Sequence, residues 1–182
     1  MSEIFMTADL HLGHRRCAEE FKRDDGSPLR PFDNLAEHDQ GIINRINSLV
    51  GRKDKLFILG DIVWTSSSAP LLAEIRCENV IAVLGNHDRN GLMKLHLFKE
   101  VHGAYPMKDV GILTHIPVHP DCLGKRFPLN VHGHLHAGEI FTSDGSPDPR
   151  YFCVSVERNN FFPVNLEDIL DHAAIMGSAC AV

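Results

Sequence analysis

Acidic, amide and imidazole side chains recur in this sequence at the points where short apolar segments end. Five such segments are followed by polar motifs, which are in chain order Asp-x-His, Gly-Asp, Gly-Asn-His-Asp, a single His and Gly-His-x-His. The residues of these motifs that can bind a metal or move a proton are Asp9, His11, Asp61, Asn86, His87, Asp88, His115, His134 and His136. Carboxylates, imidazoles and an amide oxygen, without a thiolate, form a ligand set suited to Mn, Fe, Zn, Co or Ni. The motifs therefore predict a metal centre.

The spacing of these residues predicts how they face one another. In extended backbone, side chains two positions apart lie on one face, so Asp9 would face the same way as His11, and His134 the same way as His136. Asp61, on a tight turn, can bridge two ions about 3.5 to 4 Å apart, the separation found in two-metal hydrolases. Two carboxylates, two divalent ions and a bridging hydroxide together carry a charge of roughly +1, which favours a phosphate ester anion.

The segments between the motifs predict the elements that would position them. Short apolar runs predict buried strands at Ile4–Met6, Leu56–Leu59, Val80–Leu84, Val110–Leu113 and Tyr151–Val156. Helical periodicity or capping residues predict helices at about Asn34 to Val50, after Ser68, at Leu92–Phe98 and at Leu166–Ile175. We predict long loops over 14–32 and 142–150 and a loosely held tail at 177–182. Alternating strands and helices predict an α/β fold, in which the strand ends form the ligand crevice.

Length and charge narrow the class of protein. The chain has 182 residues, the size of one domain, so we predict a single domain over residues 1–182. It has 18 basic and 24 acidic residues, a net charge of −6 and no basic stripe, so nonspecific nucleic-acid binding is not expected. Apolar runs fall short of the roughly 20 residues that span a bilayer, and the first residues lack a secretory signal. We therefore expect a cytoplasmic protein without membrane contact.

Taken in order, the five motifs resemble those of the calcineurin-like metallophosphoesterase family over nearly the whole chain. The short bacterial and bacteriophage branch is the most similar. Its features here are Arg30-Pro31-Phe32 before the first long helix, and Val154-Ser155-Val156-Glu157 leading to Pro163-Val164-Asn165-Leu166. The resemblance implies a four-layer α/β/β/α sandwich, with two mixed sheets flanked by helices. It also implies two bound divalent metal ions, with Mn²⁺ favoured and Fe, Zn, Ni or Co as alternatives.

The same resemblance implies a role for each motif residue. Two ligand sets that share one carboxylate are implied, namely Asp9, His11, Asp61 and His136 for one metal, and Asp61, Asn86, His115 and His134 for the other. A hydroxide bridging the two ions would attack phosphorus in line. His87 would contact the phosphate and protonate the leaving oxygen or stabilise its charge. Asp88, grouped with His87 as catalytic, would be its local partner in shaping the turn that carries both residues.

One stretch departs from the protein-phosphatase members of the family. Where those members have Gly-Asp-x-x-Asp-Arg-Gly, this chain has Gly-Asp-Ile-Val-Trp-Thr from Gly60 to Thr65, without the second acid or the arginine. A monoester dianion gains most from a bidentate arginine, so the departure favours a small phosphodiester such as a cyclic or short nucleotide. The candidate substrate contacts are His14, Arg15, Trp64 and Arg89, with Arg16 and Arg150 as further sources of a phosphate clamp.

The residues leave several alternatives open. His119 is a rival of His115, which is preferred because it directly follows its strand. Trp64 either stacks on a nucleobase or packs beneath a lid, and His14 either lines the phosphate site or lies exposed in its loop. The basic residues over 15–30 either select an anion or form a solvated loop. Histidines without a motif role are predicted to be structural, namely His38, His96, His102, His132 and His172. Rival functions are a phosphomonoesterase, a nucleotide pyrophosphohydrolase and a non-catalytic metal-binding scaffold.

Overall fold

The computed structural model describes residues 2–88 and 97–179, and its strands form two mixed sheets. The strands are β1 (Ile4–Thr7), β2 (Lys55–Leu59), β3 (Asn79–Val83), β4 (Glu100–His102), β5 (Tyr105–Met107), β6 (Gly111–Leu113), β7 (Leu129–His132), β8 (Tyr151–Cys153) and β9 (Val164–Asn165). The first sheet has the order β4-β3-β2-β1-β9, with β9 antiparallel to β1 and the other described pairs parallel. The second has the order β5-β6-β7-β8, with β5 antiparallel to β6.

Helices flank these sheets, as predicted. Those of the described residues are α1 (Arg15–Glu19), α2 (Leu35–Leu49) and α3 (Leu166–Ala179), with 3₁₀ turns at Ser66–Glu74, Pro120–Cys122 and Val156–Arg158. α2 begins where predicted, because Asn34 Oδ1 accepts a hydrogen bond from the Glu37 N–H at 3.0 Å. At the start of α3, Asn165 Oδ1 accepts from the Glu167 N–H at 2.9 Å. The α/β fold with two mixed sheets and flanking helices is confirmed.

The elements that differ from the prediction are mostly short. α1 lies inside the predicted loop over 14–32, because five residues are too few to show helical periodicity. The helix predicted after Ser68 is a 3₁₀ segment that contains Pro70, which has no N–H to donate. Strands β4, β5 and β9 have only two or three residues each and are absent from the prediction. The predicted helix at Leu92–Phe98 lies outside the described residues except for its last two positions.

Apolar residues of the central strands pack on both faces of the first sheet. Along β2, Leu56 and Ile58 belong to the core that includes α2, whereas Phe57 and Leu59 belong to the core between the sheets. All four are at most 1% exposed, which explains a continuous apolar run in place of an alternating one. The facing residues of the second sheet include Leu113, Leu129 and Val131. The strand ends that carry the polar motifs are thus held by close packing on two sides.

The carboxyl-terminal segment closes the first sheet. The strand predicted over Tyr151–Val156 ends at Cys153, and the chain then forms β9 and α3. α3 packs against β1 and β9, and its His172 ring lies edge-on to Phe152 of β8 at 5.1 Å. It extends past the predicted end at Ile175 to Ala179. The loosely held tail and the single domain stay predictions. Within the described residues, no helix is both long and apolar enough to cross a membrane.

Candidate metal centre

Side chains predicted to bind metal meet at the carboxyl ends of four strands. They follow the strands in the order β1 for Asp9 and His11, β2 for Asp61, β6 for His115, and β7 for His134 and His136. Their ligand atoms form two groups, each with all atoms within 4.8 Å of one another. The first cluster is Asp9, His11 and His136, and the second cluster is Asp61, His115 and His134. The convergence expected from the sequence is therefore present in the fold.

Asp61 lies between the two clusters. Its Oδ2 atom is 3.6 Å from His11 Nε2 in the first cluster and 3.4 Å from His115 Nε2 in the second. Its Oδ1 atom accepts a hydrogen bond from the His87 N–H at 2.9 Å, which leaves Oδ2 directed at both clusters. Burial would raise the pKa of Asp61, but its contacts with His115 help bring that pKa to about 2, so the carboxylate is ionised. This geometry suits a carboxylate that bridges two cations.

The second cluster has a further oxygen ligand within reach. Asn86 Oδ1 lies 2.9 Å from His115 Nε2, so the amide oxygen faces the ligand atoms of that cluster. His119, the rival of His115, is instead exposed at the start of the 3₁₀ turn at Pro120–Cys122, where its Nδ1 accepts from the Asp121 N–H. The structure thus brings Asn86 and His115 to the second cluster, while His119 belongs to neither cluster.

The candidate ligands have an uncommon backbone conformation. A left-handed φ occurs at Asp9 (59°), His11 (49°), Asp61 (52°), His134 (70°) and His136 (52°). The expectation of extended backbone in the Asp9 and His11 pair and in the His134 and His136 pair is therefore wrong, although the side chains do converge. Left-handed backbone costs a non-glycine residue roughly 1–2 kcal/mol. Strain of this kind concentrates at functional sites, where the surrounding packing holds it in place.

Glycines precede the ligands because the strand ends approach one another closely. A Cβ atom on Gly60, whose φ is 82°, would lie 2.5 Å from the His115 ring. A Cβ atom on Gly85 would lie 2.3 Å from Asp61 Oδ1. Real side chains do not tolerate such distances, so either substitution would displace a candidate ligand. The glycines of the motifs thus permit the close approach of neighbouring strand ends that the metal centre needs.

Hydrogen bonds orient two of the imidazoles. The Nδ1 atom of His115 lies 2.9 Å from the Leu59 carbonyl oxygen, and Nδ1 of His136 lies 2.9 Å from Glu157 Oε1. A ring N–H that donates to an acceptor leaves the opposite nitrogen with a free lone pair, which is the usual arrangement of metal-binding histidines. In His136 the free nitrogen is then Nε2, whereas Nε2 of His115 faces two oxygen atoms, Asn86 Oδ1 at 2.9 Å and Asp61 Oδ2 at 3.4 Å, as expected of ligands around one cation.

Unpartnered buried atoms test whether a cation fits the first cluster. Asp9 Oδ2 accepts from Ser155 Oγ at 2.7 Å and from the His134 N–H at 2.9 Å, but Asp9 Oδ1 and His11 Nε2 are buried without a hydrogen-bond partner. These two atoms are 4.0 Å apart. Burial and the nearby Arg30 charge lower the pKa of His11 to about 2, so the ring is neutral and one of its nitrogens carries a lone pair. A buried carboxylate oxygen and an imidazole nitrogen that face each other without partners fit a divalent cation bound by both.

The turn after β3 carries the two residues predicted to be catalytic. His87 is exposed, and its Nε2 lies 4.0 Å from Asp61 Oδ2. Asp88 instead turns toward the backbone, where its carboxylate accepts from the N–H groups of Gly85, Asp61 and Ile62 at 2.8, 2.9 and 2.9 Å. These contacts agree with the turn-shaping role expected of Asp88. They correct its grouping as a catalytic residue, because both oxygens are engaged by backbone N–H groups.

A buried arginine beneath the first cluster is missing from the site expected from sequence. Arg30 is 1% exposed, so the solvated-loop alternative is wrong at this position. Its guanidinium pairs with Glu157 and contacts the ring of His38, a histidine predicted to be structural. Arg30 and Glu157 do occur in two of the segments that resemble the short family branch, Arg30-Pro31-Phe32 and Val154-Ser155-Val156-Glu157. The sequence predicts no role for these segments, and the charge of a residue does not reveal whether it is buried.

A cavity of about 420 Å³ opens beside the first cluster. Its lining consists of His11, Gly13, His14, Arg15, Arg16, Phe21, Trp64, His87 and His136. Trp64 stacks on His14 with ring centroids 3.6 Å apart, and its centroid is 4.9 Å from that of His87. His14 is buried, so its exposed-loop alternative is wrong, and burial together with Arg30 lowers its pKa to about 4. Arg89 lies outside the described residues.

Known proteins resemble this chain over most of its length. A family model described as calcineurin-like phosphoesterase matches residues 3–173. An uncharacterized protein of Methanocaldococcus jannaschii is 27% identical, and the match covers 93% of this chain and 90% of that protein. The Gene 66 protein of Mycobacterium phage L5 is 29% identical, with 78% and 81% covered. The crystal structure of a protein of unknown function from Aquifex aeolicus shares the fold, with a TM-score of 0.64 at 18% identity over 93% of this chain and 98% of that one.

Proposed function

The chain belongs to the calcineurin-like phosphoesterase family, and on that premise we propose that it hydrolyses a small phosphodiester at a dinuclear Mn²⁺ centre. Family membership and the two clusters support a metal-dependent phosphoesterase, and the phage relative agrees with the short bacterial and phage branch. The observation that carries the proposal is the position of Asp61 Oδ2, which is 3.6 and 3.4 Å from an imidazole nitrogen of each cluster.

The donor set of this chain suits two divalent ions. The residues proposed to hold them are Asp9, His11, Asp61 and His136 for one ion, and Asp61, Asn86, His115 and His134 for the other. Mixed carboxylate, imidazole and amide donors suit Mn²⁺. When bound, two such ions supply an activated water near neutral pH and offset the negative charge of the phosphate. The chain's own residues must then bind the ester and protonate the leaving group.

His87 is proposed as the general acid. Its exposed side chain lines the cavity of about 420 Å³, and its Nε2 lies 4.0 Å from Asp61 Oδ2. From this position Nε2 can donate a proton to the leaving oxygen as the bond from that oxygen to phosphorus breaks, an effect typically of about 10²–10⁴-fold. Asp88 holds the turn that carries His87, so we assign it a positioning role.

Two cavities flank the clusters, which suits an ester with two organic substituents. One is the larger cavity beside His87, and the other, of about 340 Å³, is lined on the side of the second cluster by residues that include Asn86 and Ile116. Arg15 and Arg16 in the larger cavity are paired with acidic residues one helical turn away. Both arginine side chains are largely exposed, so these pairs are weak and leave the arginines able to contact a substrate. The preference for a diester rests on the two cavities and on the arginine that is missing between Gly60 and Thr65.

The larger cavity supports a planar group on the substrate. Trp64 is 37% exposed there, with His14 stacked against its ring. Stacking of a nucleobase on an aromatic side chain is worth about 1–3 kcal/mol per base. A cyclic or short nucleotide is therefore the proposed substrate class, with His14, Arg15 and Trp64 as contacts. Arg89 stays a prediction from the sequence.

Hydrolysis assays on metal-free and reconstituted protein test this function. Metal-free protein should be inactive, and Mn²⁺ should restore hydrolysis of bis(p-nitrophenyl) phosphate more strongly than of p-nitrophenyl phosphate. Preference for the monoester would favour a phosphomonoesterase, and turnover of dinucleotide polyphosphates alone would favour a pyrophosphohydrolase. Metal binding without turnover would indicate a scaffold. Inactivity with every divalent ion, together with no bound metal, would rule out the enzyme. Cytoplasmic location and the lack of nonspecific nucleic-acid binding stay predictions.

A further inference from the structure

A buried ion pair joins two distant parts of the chain beneath the first cluster. Arg30 Nη2 is 2.6 Å and Arg30 Nε 2.8 Å from Glu157 Oε1, and neither side chain is exposed. Removing two charges from water costs several kcal/mol per ion. A buried pair of this kind is therefore weak evidence for stability, and its other contacts show what it can contribute to the site.

Arg30 also binds the backbone that carries two of the cluster's ligands. Its Nη2 donates to the Asp9 carbonyl oxygen at 2.6 Å, and its Nη1 donates to the Leu10 carbonyl oxygen at 3.0 Å. These carbonyls belong to the turn in which Asp9 and His11 have left-handed backbone. One rigid guanidinium thus fixes two consecutive peptide groups of the strained turn, and with them the directions of both side chains.

Glu157 connects the same guanidinium to the third ligand. Its Oε1 atom accepts from His136 Nδ1 at 2.9 Å while it pairs with Arg30. This hydrogen bond fixes the orientation of the His136 ring and leaves Nε2 free. All three residues of the first cluster are in this way supported by one ion pair.

The second cluster rests on backbone groups. His115 Nδ1 contacts the Leu59 carbonyl oxygen, and Asp61 Oδ1 accepts from the His87 N–H, each at 2.9 Å. Each cluster combines two buried residues with one partly exposed histidine, but Asn86, the further candidate ligand beside the second cluster, is exposed. Fixed ligands bind a metal more tightly than ligands that must be ordered first, and outer contacts of metal ligands typically change affinity by about 10–100-fold.

We infer that Arg30 and Glu157 are positioning residues that preorganise the first cluster, so that this cluster binds its divalent ion before, and more tightly than, the second. The inference rests on the proposed function only in that both clusters bind metal. It assigns a role to two residues that belong to neither group of candidate ligands.

Calorimetric titration of metal-free protein with Mn²⁺ tests this order. The wild type should show two classes of site. Glu157→Gln, which removes the charge and keeps the shape, and Arg30→Lys, which loses the planar guanidinium that reaches both backbone carbonyls, should each weaken the tighter class about 10–100-fold and leave the weaker class within about twofold. The matched control is Arg52→Lys, because Arg52 pairs with Glu78 at the same 2.6 Å in an exposed position.

A second pair of variants identifies the clusters without changing the ion pair. His136→Ala should remove the tighter class, and His134→Ala the weaker one. A single class of equal sites, equal weakening of both classes by Glu157→Gln, or loss of the weaker class in His136→Ala would overturn the inference. Failure of both Glu157→Gln and Arg30→Lys to fold even in saturating Mn²⁺ would assign the pair to stability and also overturn it. No Mn²⁺ binding by the wild type would instead contradict the proposed function.

Discussion

The two clusters of the metal centre lie side by side but are supported in different ways. The first cluster contains two buried residues, Asp9 and His11, and the partly exposed His136, and it rests mainly on the charged side chains of Arg30 and Glu157. The second cluster has the same pattern of burial, with Asp61 and His115 buried and His134 partly exposed, but it rests on backbone groups and its further candidate ligand, Asn86, is exposed. Asp61 is the side chain that faces both.

This difference separates two requirements of a dinuclear hydrolase. A metal that stays bound needs ligands whose directions are set in advance, and buried charged contacts provide such fixed geometry. A reacting ester needs access, and the cavities beside His87 and Asn86 provide it. The expected effects of substitution are therefore largest at the residue that faces both clusters and smallest at a residue that belongs to neither.

Loss of the shared carboxylate should have the largest effect. Asp61→Ala should lower diester turnover by roughly 10⁴-fold or more, because several kcal/mol of metal-ion stabilisation are lost and each 1.36 kcal/mol is a factor of ten. Elemental analysis should find both metal ions reduced. Asp121→Ala is the control, since the Asp121 side chain is 92% exposed and outside both clusters. Retention of two ions with near-normal turnover would contradict the bridging role of Asp61.

Loss of the general acid should affect rate and spare the metals. His87→Ala should lower turnover on the order of 10³-fold for esters with poor leaving groups, and less for p-nitrophenyl esters, which need little protonation. The metal content should equal that of the wild type. His119→Ala, which removes an exposed histidine outside the clusters, should change neither quantity. A uniform loss for both kinds of leaving group would show that His87 acts in another way.

Loss of the aromatic wall should affect substrate choice. Trp64→Ala should raise KM for a nucleoside aryl phosphodiester about 10-fold or more, which corresponds to the 1–3 kcal/mol of a stacked base. The KM of a methyl aryl phosphodiester should change little, and Trp64→Phe should retain most of the preference. Phe141→Ala is a control at an aromatic residue that is 57% exposed and does not line the cavity. Equal changes in KM for both esters would exclude base stacking.

Loss of the N-cap of α2, which lies outside both clusters, should affect stability only. Asn34→Ala removes the acceptor for the Glu37 N–H at the start of α2 and should lower the free energy of unfolding by about 0.5–2 kcal/mol. Two classes of Mn²⁺ site and normal turnover should remain. Asn34→Asp, which can still accept this hydrogen bond, should restore most of the stability in denaturant titrations. A selective change in either metal class would show that α2 is coupled to the centre.

Sequence reasoning succeeded for the residues at strand ends. Asp9, Asp61 and His115 each follow a short apolar run, and parallel strands bring such ends to one edge. The expectation of extended backbone failed at Asp9 and His11, because left-handed φ values depend on tertiary contacts such as those of Arg30. The strained turn and its support form together in the fold, and neither is visible in local spacing.

Local sequence patterns could not predict the buried Arg30–Glu157 pair. The two residues are 127 positions apart, and Arg30 follows a loop rich in charged residues whereas Glu157 ends a short apolar segment. Their burial and pairing follow from the way the chain closes over the first cluster. Short elements such as β9, with two residues, were missed for a related reason, because tertiary pairing defines them more than their own sequence does.

The most direct test of the dinuclear centre is a crystal structure of the protein grown with Mn²⁺ and examined by anomalous scattering. The account predicts two peaks about 3.5 to 4 Å apart, one held by Asp9, His11 and His136 and the other by Asn86, His115 and His134, with Asp61 between them. At limiting Mn²⁺, the peak at the first cluster should be the stronger. A single peak, or none within these clusters, would contradict the account.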